Sequence, residues 1–159
     1  MRYLKGKEAE EAMKFILQAA EVAKNSTCRK SQRGVVIVKD GKIIGRGNNN
    51  TVMEELCEPP CALERPKDKR NKDKCPAYHA EEEAILDALE RYNSLKGSRM
   101  YHIKVKEGEI KPSGKPSCTR CSVLVLRSGI EEFVLLHEEG LTVYDSEEFN
   151  RKSFEYHMK

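Results

Sequence analysis

The chain has 159 residues, about one domain's worth, with 38% apolar and 35% charged side chains. This is not the profile of a disordered chain, no apolar run approaches the ~20 residues that span a bilayer, and Met1 to Glu8 lacks the apolar stretch of a signal peptide. The net charge is +3, and the segment Glu64 to Lys74, with six basic and three acidic residues, accounts for all of it. That distribution weighs against a broad nucleic-acid-binding face and permits a local anion site. A cytoplasmic protein outside the membrane is the expectation.

Ala9, Ala12, Met13, Ile16, Leu17, Ala20 and Ala23 recur at helical spacing, which predicts a first helix over 7–24. Val35 to Val38 is a short β-branched run, followed by Asp40-Gly41 and by Ile43-Ile44. Asp-Gly between two such runs predicts an antiparallel hairpin. From Asn48 to Pro76 no periodicity appears, and the stretch holds Pro59, Pro60, Pro66 and three cysteines. A structureless loop of that length needs something to order it. Helical spacing returns at Ala80, Ala84, Ile85, Ala88 and Leu89, predicting a second helix from Tyr78 to about Asn93. Arg99 to Val105 reads as a strand, and Thr119 to Ser128 as a helix capped by Gly129. Phe133 to Leu136 is a fourth strand. Asp145 with Glu148 suggests a capping box for a final helix carrying Phe149 and Phe154. The order predicts a single 1–159 α/β domain, a three-layer α/β/α sandwich around a mixed sheet. It carries an insert loop at 48–76 and a strand/helix tail at 137–159. The third strand, third helix and fourth strand form a parallel crossover.

Chemistry collects at two helix starts. His79-Ala80-Glu81 opens the second helix and Cys118-Thr119-Arg120-Cys121 the third, both on one sheet edge. One imidazole and two thiolates are three metal ligands, the number that leaves a coordination position for water. The positive ends of the helices favour thiolate. Glu81, in the same turn as His79, is placed to exchange protons with such a water. The alternative for these four residues is a satisfied histidine, a solvated glutamate and two buried thiols, which makes both motifs accidents. A structural zinc site without catalysis lacks its fourth ligand.

His-x-Glu followed by Pro-(Ser)-Cys-x-x-Cys resembles the zinc-dependent cytidine and deoxycytidylate deaminase family, over roughly Cys28 to Leu136. The resemblance implies a cytidine deaminase-like fold with zinc on His79, Cys118 and Cys121. It implies hydrolytic attack at C4 of a cytosine ring, with Glu81 passing protons to N3 and to the leaving amine. It further implies that Asn49 meets the sugar, that the backbone of Ala80 meets the base, and that the protein is a homo-oligomer. Asn49 and His79 are 30 positions apart with cysteines between them. That long insert, with Cys28 after the first helix, is similar to the deoxycytidylate branch, so dCMP is the implied substrate.

Four cysteines remain, Cys28, Cys57, Cys61 and Cys75. Some members of that branch carry a second, structural zinc here, and four thiolates would close a tetrahedral site that orders the insert. The alternative is four reduced thiols. Arg65 and Arg70 in the basic run are the better fork donors for a phosphate of the substrate or of a nucleotide effector, against a plain solvated loop. Asn49 also reads as a turn residue. The chain departs from the family pattern around the substrate pocket. Ser117 stands between Pro116 and Cys118, Asn48 replaces an aromatic residue, and Glu83 replaces an asparagine. The rival readings are a deaminase of nucleosides or of bases in RNA or DNA, and a zinc-stabilised binding module without turnover. His102, His137 and His157 lie in no motif.

Overall fold

The computed structural model describes residues 1–28, 30–57, 61–64 and 74–159. Its elements run β1 (Arg2–Tyr3), α1 (Gly6–Ala23), β2 (Gln32–Lys39), β3 (Lys42–Asn48), α2 (Ala80–Leu89), β4 (Arg99–Lys106), β5 (Glu109–Lys111), α3 (Thr119–Arg127), β6 (Glu132–His137), β7 (Gly140–Asp145) and α4 (Ser146–His157). The sheet order is β1-β7-β6-β4-β2-β3, with β5 folded back on β4. β4 and β6 are parallel, as the crossover through α3 requires, and the other pairs are antiparallel. No helix among the described residues is long and apolar enough to cross a membrane.

Strand alternation divides the core into two layers. Val36, Val38, Tyr101, Ile103, Val134 and Val143 face α1, which meets them with Ala12, Ile16, Ala19, Ala20 and Ala23. Val35, Ile37, Met100, Phe133, Leu135 and Tyr144 face the other way, onto α2, α3 and α4. The three-layer sandwich expected from the sequence is therefore present, with one helix on one side and three on the other. The face of α1 is rotated slightly from its predicted centre: Ala19 is buried and Leu17 is half-exposed. The hairpin turns at Asp40 and Gly41, with φ of 51° and 75°. Both values are positive, as a two-residue type I′ turn demands. α2 is shorter than predicted, but Glu90 and Tyr92 still donate back to Leu86 and Ala88.

What positions the later chemistry is the approach of α2 to β3. The helix brings Ala80, Ala84 and Ala88 onto the strand that holds Gly45 and Gly47. A Cβ at Gly47 would lie 2.3 Å from the Ala80 carbonyl and 2.4 Å from the Ala84 nitrogen. Those are helix backbone atoms that no rotamer change can move. Gly47→Ala is expected to cost about 3 kcal/mol, or roughly 6–12 °C in melting temperature, by pushing off the turn that carries His79 and Glu81. A thermal melt checks this, and an unchanged melting temperature would contradict the close packing.

The insert is partly regular. Short 3₁₀ turns occupy Glu54–Leu56 and Ala62–Glu64. Its two ends are joined by backbone hydrogen bonds between Asn50 and Tyr78, at 2.8 and 3.3 Å. The C-terminal tail is a strand, β7, paired with both β1 and β6, and a helix. Asp145 caps α4 by accepting from the Glu148 N–H at 2.8 Å, half of the predicted capping box. The Glu148 carboxylate itself pairs with the amino group of Met1.

Candidate active site

α2 and α3 begin side by side over the sheet. His79 is the residue preceding α2, and Cys118 the residue preceding α3. The Cys118 sulfur accepts from the Cys121 N–H at 3.4 Å, so one thiol caps its own helix and turns both sulfurs the same way. Glu82 ties the two starts together: its Oε1 accepts from the His79 N–H at 3.0 Å and from Arg120 Nη2 at 2.7 Å.

The result is a cluster. His79 Nδ1 lies 3.1 Å from Cys121 Sγ and 3.5 Å from Cys118 Sγ. All three ligand atoms fall within 4.8 Å of one another. In the protein alone these groups share protons. The hydrogen bond from Cys121 draws the Cys118 thiol down to about 5, with His79 adding to the effect. The same bond, then burial, pushes Cys121 up, and the bond to Cys118 raises His79. One imidazole and two sulfurs at this spacing fit zinc, whose tetrahedral bonds of about 2.0–2.3 Å place neighbouring ligands a little over 3 Å apart.

Glu81 is buried beside the cluster, with Oε2 accepting from Cys121 Sγ at 3.5 Å. Its other oxygen lies 3.4 Å from His102 Nε2. Burial pushes the His102 pKa down to about 3, which keeps the ring neutral. With Glu81 as acceptor, Nε2 carries the proton, and Nδ1 accepts from the Ser113 hydroxyl at 3.1 Å. These groups open into a cavity of about 400 Å³. Phe133 and Phe149 line it as a stacked pair, 3.9 Å between centroids and 9° apart in plane. α4 therefore walls the cavity. It also braces the Cys-x-x-Cys segment, through His157 Nε2 donating to the Ser117 carbonyl at 2.6 Å and Asn150 Oδ1 accepting from Ser122 at 3.0 Å.

The predicted residues distribute as follows. His79, Glu81, Cys118 and Cys121 converge. Asn49, Ala80 and Ser117 all line the cavity. Asn49 is also a brace. Its Oδ1 accepts from the Arg33 N–H at 2.7 Å and the Ser26 hydroxyl at 2.9 Å, and its Nδ2 donates to the Ser31 carbonyl at 2.7 Å. It holds the segment after α1 against the end of β3. Arg65 and Arg70 lie outside the described residues. Among the described residues, His79, Cys118 and Cys121 are the one group of three metal-capable side chains that meets. Among the described residues no three of the other four cysteines come within ligand distance of one another. Cys57 is exposed, Cys28 and Cys75 line the cavity, and the ends of the insert are joined by the Asn50–Tyr78 backbone pair.

His102 was without a motif because its partners come from other elements. The signal that finds it is alternation: Met100 and His102 share a face of β4, and His102 pairs in register with Val35 on the side where α2 and α3 begin. Phe149 is legible as an apolar residue of the final helix but not as a cavity wall, and His157 lies in no motif, for the same reason.

One imidazole and two thiols beside a buried carboxyl, where two helices begin, are the donor set of a zinc site with a coordination position left for water. Residues 7–137 match the family described as cytidine and deoxycytidylate deaminase zinc-binding region, and the chain belongs to that family. The deoxycytidylate deaminase of Saccharomyces cerevisiae is 29% identical over 122 residues, covering 76% of this chain. The chain spans about a third of that relative, 35% of its length. Among solved structures, the dCMP deaminase of cyanophage S-TIM5, in complex with dCMP and dUMP, matches with a TM-score of 0.52 at 20% identity, over 82% of each chain. The cytidine deaminase of Burkholderia pseudomallei matches with a TM-score of 0.59 at 16% identity, over 86% of this chain and 94% of that one. At these identities the structural likeness speaks for the fold.

Proposed function

We propose that this protein is a zinc-dependent hydrolase that deaminates a cytosine-containing nucleotide, converting dCMP to dUMP with release of ammonia. The observation that carries the reading is the buried Glu81 carboxyl set between Cys121 of the ligand cluster and the neutral His102. The yeast relative and the cyanophage structure with its bound dCMP and dUMP support the nucleotide as substrate.

Zinc on His79, Cys118 and Cys121 would supply a Lewis acid and an activated water. Glu81 takes a proton from the attacking water and delivers it to N3 of the ring, then serves the leaving amine. The C4–O bond forms as N3 takes its proton, and the C4–N bond breaks afterwards as the amine takes another, so cytosine and water become uracil and ammonia. His102, held by Ser113, fixes the Glu81 carboxyl toward the ring. Ala80, at the first position of α2, offers a backbone N–H that has no acceptor within the helix, suited to a ring oxygen. Phe133 and Phe149 give the base an apolar wall. Asn49 keeps one amide proton for the sugar after bracing its loop. In this reading the protein works in the cytoplasm as a homo-oligomer. The exposed Leu86, Leu89, Val123 and Leu126 on α2 and α3 support contact between copies. The basic insert, with Arg65 and Arg70, is the place to seek a nucleotide effector.

The test is a side-by-side assay of the zinc-replete protein on dCMP, CMP, deoxycytidine and cytidine, followed by the ultraviolet change from cytosine to uracil. We expect kcat/KM for dCMP to exceed that for deoxycytidine by about 100-fold, the worth of a charge-assisted phosphate contact. Turnover of the nucleosides alone would overturn the nucleotide assignment. Silence on all four, with zinc bound, would leave a zinc-stabilised binding module.

A further inference from the structure

Neither the metal ligands nor Glu81 accounts for a cation built into the same cavity. Arg33 stands on β2, on the face of Val35 and His102 and in register with Lys104 of β4. Its side chain lines the cavity together with Cys28, Ser31 and Asn49. Nε donates to the Ser31 hydroxyl at 2.9 Å. Among the described residues no carboxylate pairs with the guanidinium. Burial draws its pKa below the ordinary guanidinium value, although Glu81 and Cys28 act on it in the opposite sense. Neighbouring Lys104 is also drawn down, by burial first and then by the charge of Arg33.

A half-buried guanidinium stays charged, and a charge held there without an opposite partner carries a cost. A partner of opposite charge entering the cavity would offset that cost. The charge of the lining says which partner. Among the described residues, Lys30, Arg33 and Lys115 face the cavity against the single acidic residue Glu81. Two thiolates would balance a zinc ion, so the wall carries an excess of about two positive charges. A phosphate monoester carries about −1.5 to −2 at neutral pH. A neutral nucleoside leaves the excess unmet, a phosphodiester meets half of it, and a triphosphate overshoots it. The guanidinium fork also matches two oxygens of a phosphate at once.

We propose that Arg33 is the specificity-determining residue of this site, receiving the 5′-phosphate monoester of the nucleotide, with Lys30 and Lys115 at the rim. This rests on the deaminase reading above and moves the phosphate contact from the basic insert to β2. Ser31 orients the fork through Nε and leaves both Nη groups for the ligand.

The test uses the full-length, zinc-replete protein and two variants, Arg33→Gln and Arg33→Lys. Rates are measured on dCMP and deoxycytidine, and binding of dUMP and deoxyuridine by calorimetry. For Arg33→Gln we expect the ratio of kcat/KM, dCMP over deoxycytidine, to fall about 100-fold, mostly through KM, and dUMP affinity to fall by a similar factor. Arg33→Lys keeps the charge and recovers part of both. Equal losses on nucleotide and nucleoside, or no loss on either, would overturn the proposal and leave Arg33 as a brace through Ser31. If the wild-type protein does not turn over dCMP, yet prefers dUMP to deoxyuridine in an Arg33-dependent way, the phosphate site stands and the substrate assignment falls. If dCMP turnover and dUMP binding are unaffected by Arg33→Gln, the substrate assignment stands and the phosphate site falls.

Discussion

Glu81→Gln is expected to lower kcat for dCMP by about 10⁴-fold while zinc content and fold are kept. The substitution is nearly isosteric. A glutamine oxygen can still accept from His102 Nε2, and its amide can face the Cys121 sulfur, so both contacts of the buried side chain persist. What is lost is the capacity to take a proton and return it. The fold loses only the interaction of one acidic group with the first turn of α2, about 0.3–1 kcal/mol. The rate assay is therefore paired with zinc analysis and a thermal melt. A variant that binds zinc, melts normally and keeps more than about a hundredth of the wild-type rate would remove Glu81 from proton transfer.

Cys118→Ser should remove one zinc per chain and all measurable turnover, and it should do so without unfolding α3. The Cys118 side chain caps that helix by accepting from the Cys121 N–H, and serine is a better helix cap than cysteine. The soft ligand is thus deleted and the local structure kept. The same metal count reads the remaining cysteines. Two ions per wild-type chain falling to one would assign the second to Cys28, Cys57, Cys61 and Cys75, whereas one falling to none would make them free thiols. The metal-free protein adds a pH test. The bond from Cys121, with help from His79, holds the Cys118 thiol at about 5. An ordinary thiol titrates near ~8.5, so Cys118 by itself gives the unfolded chain the extra proton between these values and makes stability rise with pH; the raised His79 opposes this above ~6.5, which leaves a window from about 5 to ~6.5. The contribution is complete above the unfolded value and lost as pH falls through about 5. Melting temperatures of metal-free wild type should therefore drop on acidification across that window by more than those of Cys118→Ser. Parallel curves would contradict a depressed Cys118.

Several features of this protein were written locally and could be read locally. Asp40-Gly41 dictates its own turn, because it is one of the few pairings that meet two positive φ values cheaply. Gly129 ends α3 at a φ of 90° for a related reason. The alanine spacing of α1 and α2 announces helices that pack closely. His79 with Glu81, and Cys118 with Cys121, are each held within one turn of backbone, so their spacing alone carries the chemistry. The fold class and the His79, Cys118 and Cys121 cluster thus needed no more than short-range pattern.

β7 was harder. Leu141 and Val143 face α1 while Thr142 and Tyr144 are buried on the other side, so the strand shows no polar alternation, and no turn dipeptide precedes it. β1, two residues long, exists only because β7 offers it an edge. The cavity wall belongs wholly to the tertiary structure. His102 meets Glu81 from a different element, Phe149 reaches Phe133 from the far end of the chain, and Arg33 becomes a half-buried cation in the cavity wall only when the sheet and the segment after α1 close around it. Whether Cys28 and Cys75 stand near Cys57 is likewise a matter of how the insert is laid down, which sulfur spacing cannot decide. By itself the sequence determined what each short stretch could do, since turns, caps and ligand pairs are settled by neighbouring residues. The tertiary structure decided which of those stretches meet, because burial, desolvation and charge balance are properties of residues far apart in the chain brought into one cavity.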